Sequence, residues 1–263
     1  MTTNTTDSKA GRAMVLTPRD IRIITDVSEY QMLSRKQLTH LGHFGSKTRA
    51  NAILSRLTRF GYLSRRHLPA VAGTNHGLYF LGPTSAALLG TPKQTLATRR
   101  RNVRQISDLF LAHQMLITDV RLCFQKAPNL PVQRWMNEAA LRERELGVIP
   151  DGHIEYRYQD KAFGVFLEVD RGTETLTRFR EKAAGYLRLA ASGKYREVFG
   201  RLYFRVLVVA PSALRIAHLR QVIARETDRI FWLTSLPELF SHGPLASIWF
   251  RPVGEQLHSL TEP

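Results

Sequence analysis

The sequence predicts an α/β protein in two parts. A basic helical segment closed by a hairpin leads into a larger segment where strands and helices alternate around a mixed sheet. Three observations predict it. Apolar residues recur at helical spacing up to Gly61 and at strand spacing after it. Beyond residue 130, short β-branched runs alternate with helical ones, the pattern of an α/β sheet. Charge also divides the chain: residues 1–104 hold 17 Lys and Arg against 4 Asp and Glu, whereas residues 105–263 hold 21 against 18. Nearly all of the net +16 therefore sits in front, which implies a polyanion partner drawn by phosphate charge and released counterions.

Composition removes several classes. The single cysteine, Cys123, lies in the apolar run "DVRLCFQKA", so a disulfide framework is excluded and a cysteine-based zinc site is not expected. No run approaches the roughly 18 apolar residues of a membrane span, so no membrane partner is expected. The polar start "MTTNTTDSKAGRA" has no apolar signal core, and residues 1–14 read as a disordered tail.

The first helix opens at "LTPRDIRIITDVSEY", with Thr17 as N-cap, Pro18 at the first helical position and Asp20 three residues past the cap. Ser34 caps the second helix, in "LSRKQLTHLGH", and Gln37 completes a capping box. Ser46 caps the third, where Ala50, Ile53, Leu54 and Leu57 form the inward stripe before Gly61 ends it. The sharp "HFG" turn before it gives a helix-turn-helix pattern. After Gly61, "YLSRRHL" and "GLYFLGP" read as two strands joined by a Gly- and Asn-containing loop.

Residues 15–90 thus resemble winged helix-turn-helix DNA-binding domains. The resemblance implies a third helix lying in the major groove of double-stranded DNA, with the hairpin on the backbone or minor groove. It places Lys47, Thr48, Arg49 and Asn51 toward bases or phosphates, and Arg56, Arg59, Arg65, Arg66 and Asn75 on phosphates. Winged helices also serve as dimer or docking modules, which keeps a homodimer open, and single-stranded DNA stays open as a second ligand.

Residues 91–126 read as a linker followed by a long helix from about Leu96 to Lys126. Ile106, Leu109, Phe110, His113, Leu116, Ile117 and Val120 fall on one face, so that face is expected to be buried. His113 reads as a core histidine outside any site. Arg99, Arg100, Arg101 and Arg104 crowd the first turns and read as an extension of the DNA surface.

From residue 127 the α/β domain is expected to run to 252, with 253–263 a tail. Strands are predicted at about 132–139, 149–158, 163–170, 202–210 and 230–234, and helices at about 174–191 and 212–226. Strand alternation puts Asp151, His153 and Glu155 on one face, and Glu168 and Asp170 on one face of the next strand. The turn "RYQDKA" makes the two strands an antiparallel hairpin, which brings Asp151 toward Asp170.

Pro150-Asp151, a hairpin and then Glu168 resemble the restriction-endonuclease-like nucleases of the PD-(D/E)xK superfamily. The resemblance implies Asp151 and Glu168 as ligands of Mg²⁺ or Mn²⁺, with Glu138 a further upstream acid, and a lysine that positions water. Asp170 stands where that lysine belongs, so Lys182 on the following helix or Lys161 in the hairpin would have to substitute. Catalysis, where present, would then fall to Asp151, Glu168, Asp170 and Lys182 as a metal-dependent DNA endonuclease. Crowded carboxylates repel and rise in pKa unless a cation joins them, and Arg171, Arg178 and Lys182 are at hand. A live metal site, a retired site held by Arg and Lys, and unrelated surface charge all stay open.

The whole arrangement is similar to the replication-relaxation family of plasmids and mobile elements, over about residues 15–252. The most specific stretch is Glu168-Val169-Asp170-Arg171-Gly172-Thr173-Glu174, with Lys182 and Tyr186 further along the helix. That resemblance implies a bacterial cytoplasmic DNA-binding accessory protein in replication, relaxation or transfer, working beside a relaxase, replication or other element-encoded proteins. The alternatives are a Mg²⁺-dependent nickase targeted by the winged helix, or a transcriptional regulator.

Overall fold

A computed structural model describes residues 14–68, 76–90 and 106–262. The chain divides into two compact units, Met1–Asp108 and Leu109–Pro263.

In the first unit, α1 (Pro18–Tyr30) starts on the capping box read from Thr17 and Asp20. A two-residue strand, β1 (Leu33–Ser34), precedes α2 (Arg35–His40), whose box uses Ser34 and Gln37. The third helix, α3 (Lys47–Arg59), is capped by Ser46. Strands β2 (Leu63–Leu68) and β3 (His76–Leu81) follow, then the short α4 (Ser85–Leu89). The sheet is antiparallel in the order β1-β3-β2, with Leu33 opposite Tyr79 and Leu63 opposite Leu81. Ile23, Ile24, Val27, Leu38, Leu54 and Leu57 fill the core between helices and sheet. Gly82 has no room for a side chain: a Cβ there would meet the Gly61 carbonyl oxygen at 2.0 Å, so the hairpin closes against the end of α3.

The second unit is a seven-stranded mixed sheet between two apolar layers. Its elements are α5 (Asp108–Lys126), β4 (Val132–Asn137), α6 (Glu138–Arg142), β5 (Gly152–Tyr158), β6 (Lys161–Val169), α7 (Leu176–Ser192) and α8 (Lys194–Phe199). Then come β7 (Arg205–Ala210), α9 (Ala213–Ile223), β8 (Phe231–Ser235), α10 (Leu236–His242), β9 (Trp249–Phe250) and β10 (Leu257–His258). Strand order is β10-β9-β8-β7-β6-β5-β4, parallel only at β6–β7 and β7–β8. The crossover helices α7, α8 and α9 cover one face there and α5 and α10 the other, which is why "VLVVA" is apolar throughout. One layer packs Phe166, Phe179, Tyr186, Tyr195 and Leu219. The other packs Ile117, Val120, Phe124, Leu167, Val209 and Trp249.

Four expectations change. Residues 138–139 begin α6 instead of ending β4, because the Asn137 side chain accepts from Ala140 N–H and starts a helix. The buried stripe of α5 runs through Leu111, Ile117, Val120 and Phe124, leaving Leu109 exposed, so the helix is rotated from the face its spacing suggested. Residues 253–262 are no tail: β10 pairs with β9, and Leu260 is fully buried under the Tyr156 hydroxyl, which donates to its carbonyl. The linker-helix region does not form one segment of its own, since α5 packs in the second unit's core. The first turns expected for that helix, with Arg99, Arg100, Arg101 and Arg104, lie outside the described residues, as do the tail up to residue 13 and Asn75.

Candidate functional site

The hairpin of β5 and β6 sets the register of the site. Gly152 pairs with Leu167, and Asp151 N–H donates to the Leu167 carbonyl at 3.1 Å, so Asp151 and Glu168 stand opposite one another at the strand ends. The Asp151 carboxylate is held on both oxygens. Val169 N–H donates to Oδ2 at 2.7 Å, and His113 Nε2, from α5, donates to Oδ1 at 3.0 Å. Glu168 is held likewise: Lys182 Nζ lies 2.5 Å from Oε2, and the Tyr186 hydroxyl donates to Oε1. Lys182 and Tyr186 are four apart on α7, hence on one helical face directed at the same acid.

Exposure orders these groups. Side chains of Asp151 and Glu168 are 11% and 2% exposed, whereas His113 and Lys182 are 23% and 24% exposed. Solvent therefore meets the nitrogen side chains first and the carboxylates behind them. Burial pushes the Glu168 carboxyl up to about 7, with Lys182 offsetting part of the rise and Asp151 adding to it. Burial pulls Lys182 down, but the Glu168 and Asp151 charges more than compensate, and its ammonium is held above the ordinary lysine range. Burial and then the Glu168 charge keep Tyr186 protonated well past the usual phenol range. At His113, burial pulls down and the Asp151 carboxylate raises, with the raise prevailing.

Asp170 is engaged separately. Gly172 N–H donates to one oxygen at 3.0 Å, and Arg215 from α9 donates to the other while spanning to the Glu174 carbonyl at 2.6 Å. The hairpin thus sets Glu168, not Asp170, across from Asp151. Two of the three cations expected to neutralise the cluster turn elsewhere: Arg171 donates to the Leu109 carbonyl, and Arg178 pairs with Glu174 at 3.3 Å. Lys161 starts β6 at its far end, seven residues or roughly 23 Å from Glu168, so of these two lysines only Lys182 reaches Glu168. Glu138 pairs with Arg142 at 2.6 Å.

The donor set does not fit a divalent cation as it stands. All four oxygens of Asp151 and Glu168 already accept hydrogen bonds from this chain. Among the described residues, no three His, Cys, Asp or Glu side chains stand together in a way that could hold a metal ion. What the network can do is keep two buried acids charge-compensated and present His113 and Lys182 outward.

The replication-relaxation family profile matches residues 24–202, from the first helix of the first unit to a point beyond α8. The chain belongs to the replication-relaxation family. No curated protein and no solved structure matches it. The stretch shared with the replication-relaxation profile contains His113, Asp151, Glu168, Asp170, Lys182 and Tyr186, while Arg215 falls outside it.

In the first unit of this replication-relaxation protein, Lys47, Thr48 and Arg49 are exposed side by side on the first turn of α3. Arg59 and Arg65 are exposed as well. Three of the expected DNA residues are tied into the fold. Arg56 donates to both oxygens of the buried Asp20 at 2.7 Å, Arg66 donates to Asp108 and the Ile106 carbonyl, and Asn51 accepts from Arg35 at 2.8 Å.

Sequence reasoning missed His113 and Arg215. His113 sat on an apolar stripe that proved to be rotated, and Arg215 lies 45 residues from its acid, so neither carried a local signal.

Proposed function

We propose that this chain is a DNA-binding accessory protein of a plasmid or mobile element, acting in its replication or relaxation. Its first unit, read as a winged helix, grips double-stranded DNA through α3. Its second unit, read as a retired restriction-endonuclease-like frame, serves as a scaffold for DNA or for element-encoded partners. The observation that carries this reading is the pair Lys47 and Arg49 at the exposed start of α3, whose side chains meet no partner among the described residues, in the unit holding most of the chain's excess charge. Family membership supports the replication or relaxation setting. The screen of His113 and Lys182 nitrogens over two hydrogen-bonded carboxylates supports a scaffold over a metal-dependent enzyme.

Fluorescence anisotropy with the full chain and labelled duplex tests the binding. Affinity is expected to fall steeply between 50 and 300 mM salt, and salt-independent affinity would reject it.

One observation favours a second reading, a nickase using Mg²⁺ or Mn²⁺: Lys182 lies 2.5 Å from Glu168 with Asp151 across the hairpin, two acids and a lysine whose carboxylates would have to give up their present hydrogen bonds to take a cation. Supercoiled plasmid incubated with either cation, with wild type beside Asp151→Ala, decides. Nicking by wild type that the variant loses makes the protein a nuclease; intact plasmid in both lanes leaves the accessory role.

A further inference from the structure

We infer that Arg35 sets base preference at the DNA surface by holding the carbonyl end of Asn51 toward itself, so that Asn51 turns its amide N–H groups to the base and selects guanine or thymine over adenine. The inference rests on the reading of α3 as the helix that meets DNA.

Asn51 is exposed on the face of α3 that also carries Lys47 and Thr48, four and three residues earlier, and its outward neighbours Ala52 and Ser55 are small. Small residues around a single amide let a groove wall come close. Arg35, the first residue of α2, reaches across with Nη1 and sits 2.8 Å from Asn51 Oδ1. The amide orientation follows from chemistry. A guanidinium has five donors and no acceptor, so only the oxygen of the amide can face it.

An unheld asparagine reads adenine with both ends, its oxygen accepting from N6 and its nitrogen donating to N7. Here the oxygen sits beside a cation, where an adenine N6 amino group would meet the donors of Arg35. The outward end keeps two N–H donors. In the major groove these suit the adjacent O6 and N7 of guanine or O4 of thymine, whereas adenine offers N7 alone beside an opposing amino group and cytosine only an amino group. Arg35 acts through Asn51 and needs no base contact of its own. It is a positioning residue, and the base column read by Asn51 reports on it.

Selection from randomised duplexes with the full chain tests this, with bound pools sequenced for wild type, Asn51→Ala, Arg35→Met, Arg35→Lys and Lys36→Met. Wild type is expected to show one column rich in guanine or thymine that flattens in Asn51→Ala. Arg35→Met should move that column toward adenine by roughly tenfold. Arg35→Lys retains a donor and should keep the wild-type column. Lys36→Met removes a neighbouring exposed charge and should lower affinity with the column unchanged. An Asn51-dependent column already rich in adenine or cytosine overturns the inference, as does one indifferent to Arg35→Met, or the absence of any column sensitive to Asn51→Ala. Each of those outcomes leaves DNA binding standing. Failure of the wild type to bind any duplex sinks the parent reading and this one with it.

Discussion

Lys182 sits 2.5 Å from Glu168, a residue 14 positions earlier in the chain, and the acid it meets is 2% exposed. Removing one member of such a pair strands the other, which costs more than the pair itself contributes. Lys182→Met is therefore expected to destabilise the second unit by about 3 kcal/mol. The double variant Lys182→Met with Glu168→Gln should recover more than half of that. Urea denaturation at pH 7.5 measures both; equal losses in the single and double variants would remove Glu168 as the cause.

Titration separates Glu168 from His153. The Glu168 carboxyl is raised from 4.5 to about 7, so between those values the folded chain keeps a proton that the unfolded chain has released. Its contribution to stability falls as pH rises through that window. His153, fully buried among Phe166, Tyr195 and Phe199, is lowered to about 3, first by burial and then by Arg134 and Arg201. Below 6.5 the unfolded imidazole takes up a proton that the folded one refuses, so this contribution falls as pH drops. Over pH 5 to 6.5 the two slopes oppose, and the wild-type curve hides both. The difference between Glu168→Gln and wild type exposes one: the variant should gain about 2 kcal/mol on wild type from pH 5 to 7.5. A difference constant with pH would mean that Glu168 titrates as an ordinary carboxyl.

On α3, charge and structure part company. Lys47→Ala with Arg49→Ala should weaken duplex binding and reduce the slope of log affinity against log salt by about 2. Arg56→Ala should leave that slope nearly unchanged and instead destabilise the first unit by about 2 kcal/mol, since the buried Asp20 loses its guanidinium and, among the described residues, keeps Thr17 as hydrogen-bond donor. Anisotropy titrations and thermal denaturation on the same samples distinguish the effects.

Two glycines make a matched pair. A Cβ on Gly164 would lie 2.1 Å from the Tyr195 hydroxyl, the group that meets His153 Nε2 at 3.1 Å. Gly164→Ala is expected to cost about 3 kcal/mol. On Gly185, inside α7, a Cβ would find Val148 at 3.5 Å, an ordinary contact, so Gly185→Ala should gain about 1 kcal/mol from helix propensity. Thermal midpoints moving the same way would contradict the packing argument.

What the sequence discloses is what neighbours along the chain decide. Thr17, Ser34 and Ser46 cap helices with atoms three residues away, and all three were readable. The β5–β6 hairpin was readable because its turn is short, but its register was not: it sets Glu168, where Asp170 was expected, across from Asp151. Strand β1 spans two residues and exists because β3 offers a partner at Leu78 and Tyr79, a fact located more than 40 positions away. Leu257 and Leu260 show no period among polar residues, so only the presence of β9 turns them into an edge of the sheet. The partners of the carboxylates divide the same way. Lys182 and Tyr186 share a helical spacing that points them together, whereas His113 and Arg215 arrive from other elements.

The closing residues of the chain carry one more consequence. Arg205 donates to the carbonyls of Leu260 and Glu262 at 3.3 and 2.6 Å, and Tyr156 donates to Leu260 from the middle of β5. Truncation after Ser259 would remove these acceptors and the buried Leu260 at once, and is expected to loosen β5 and β7 together.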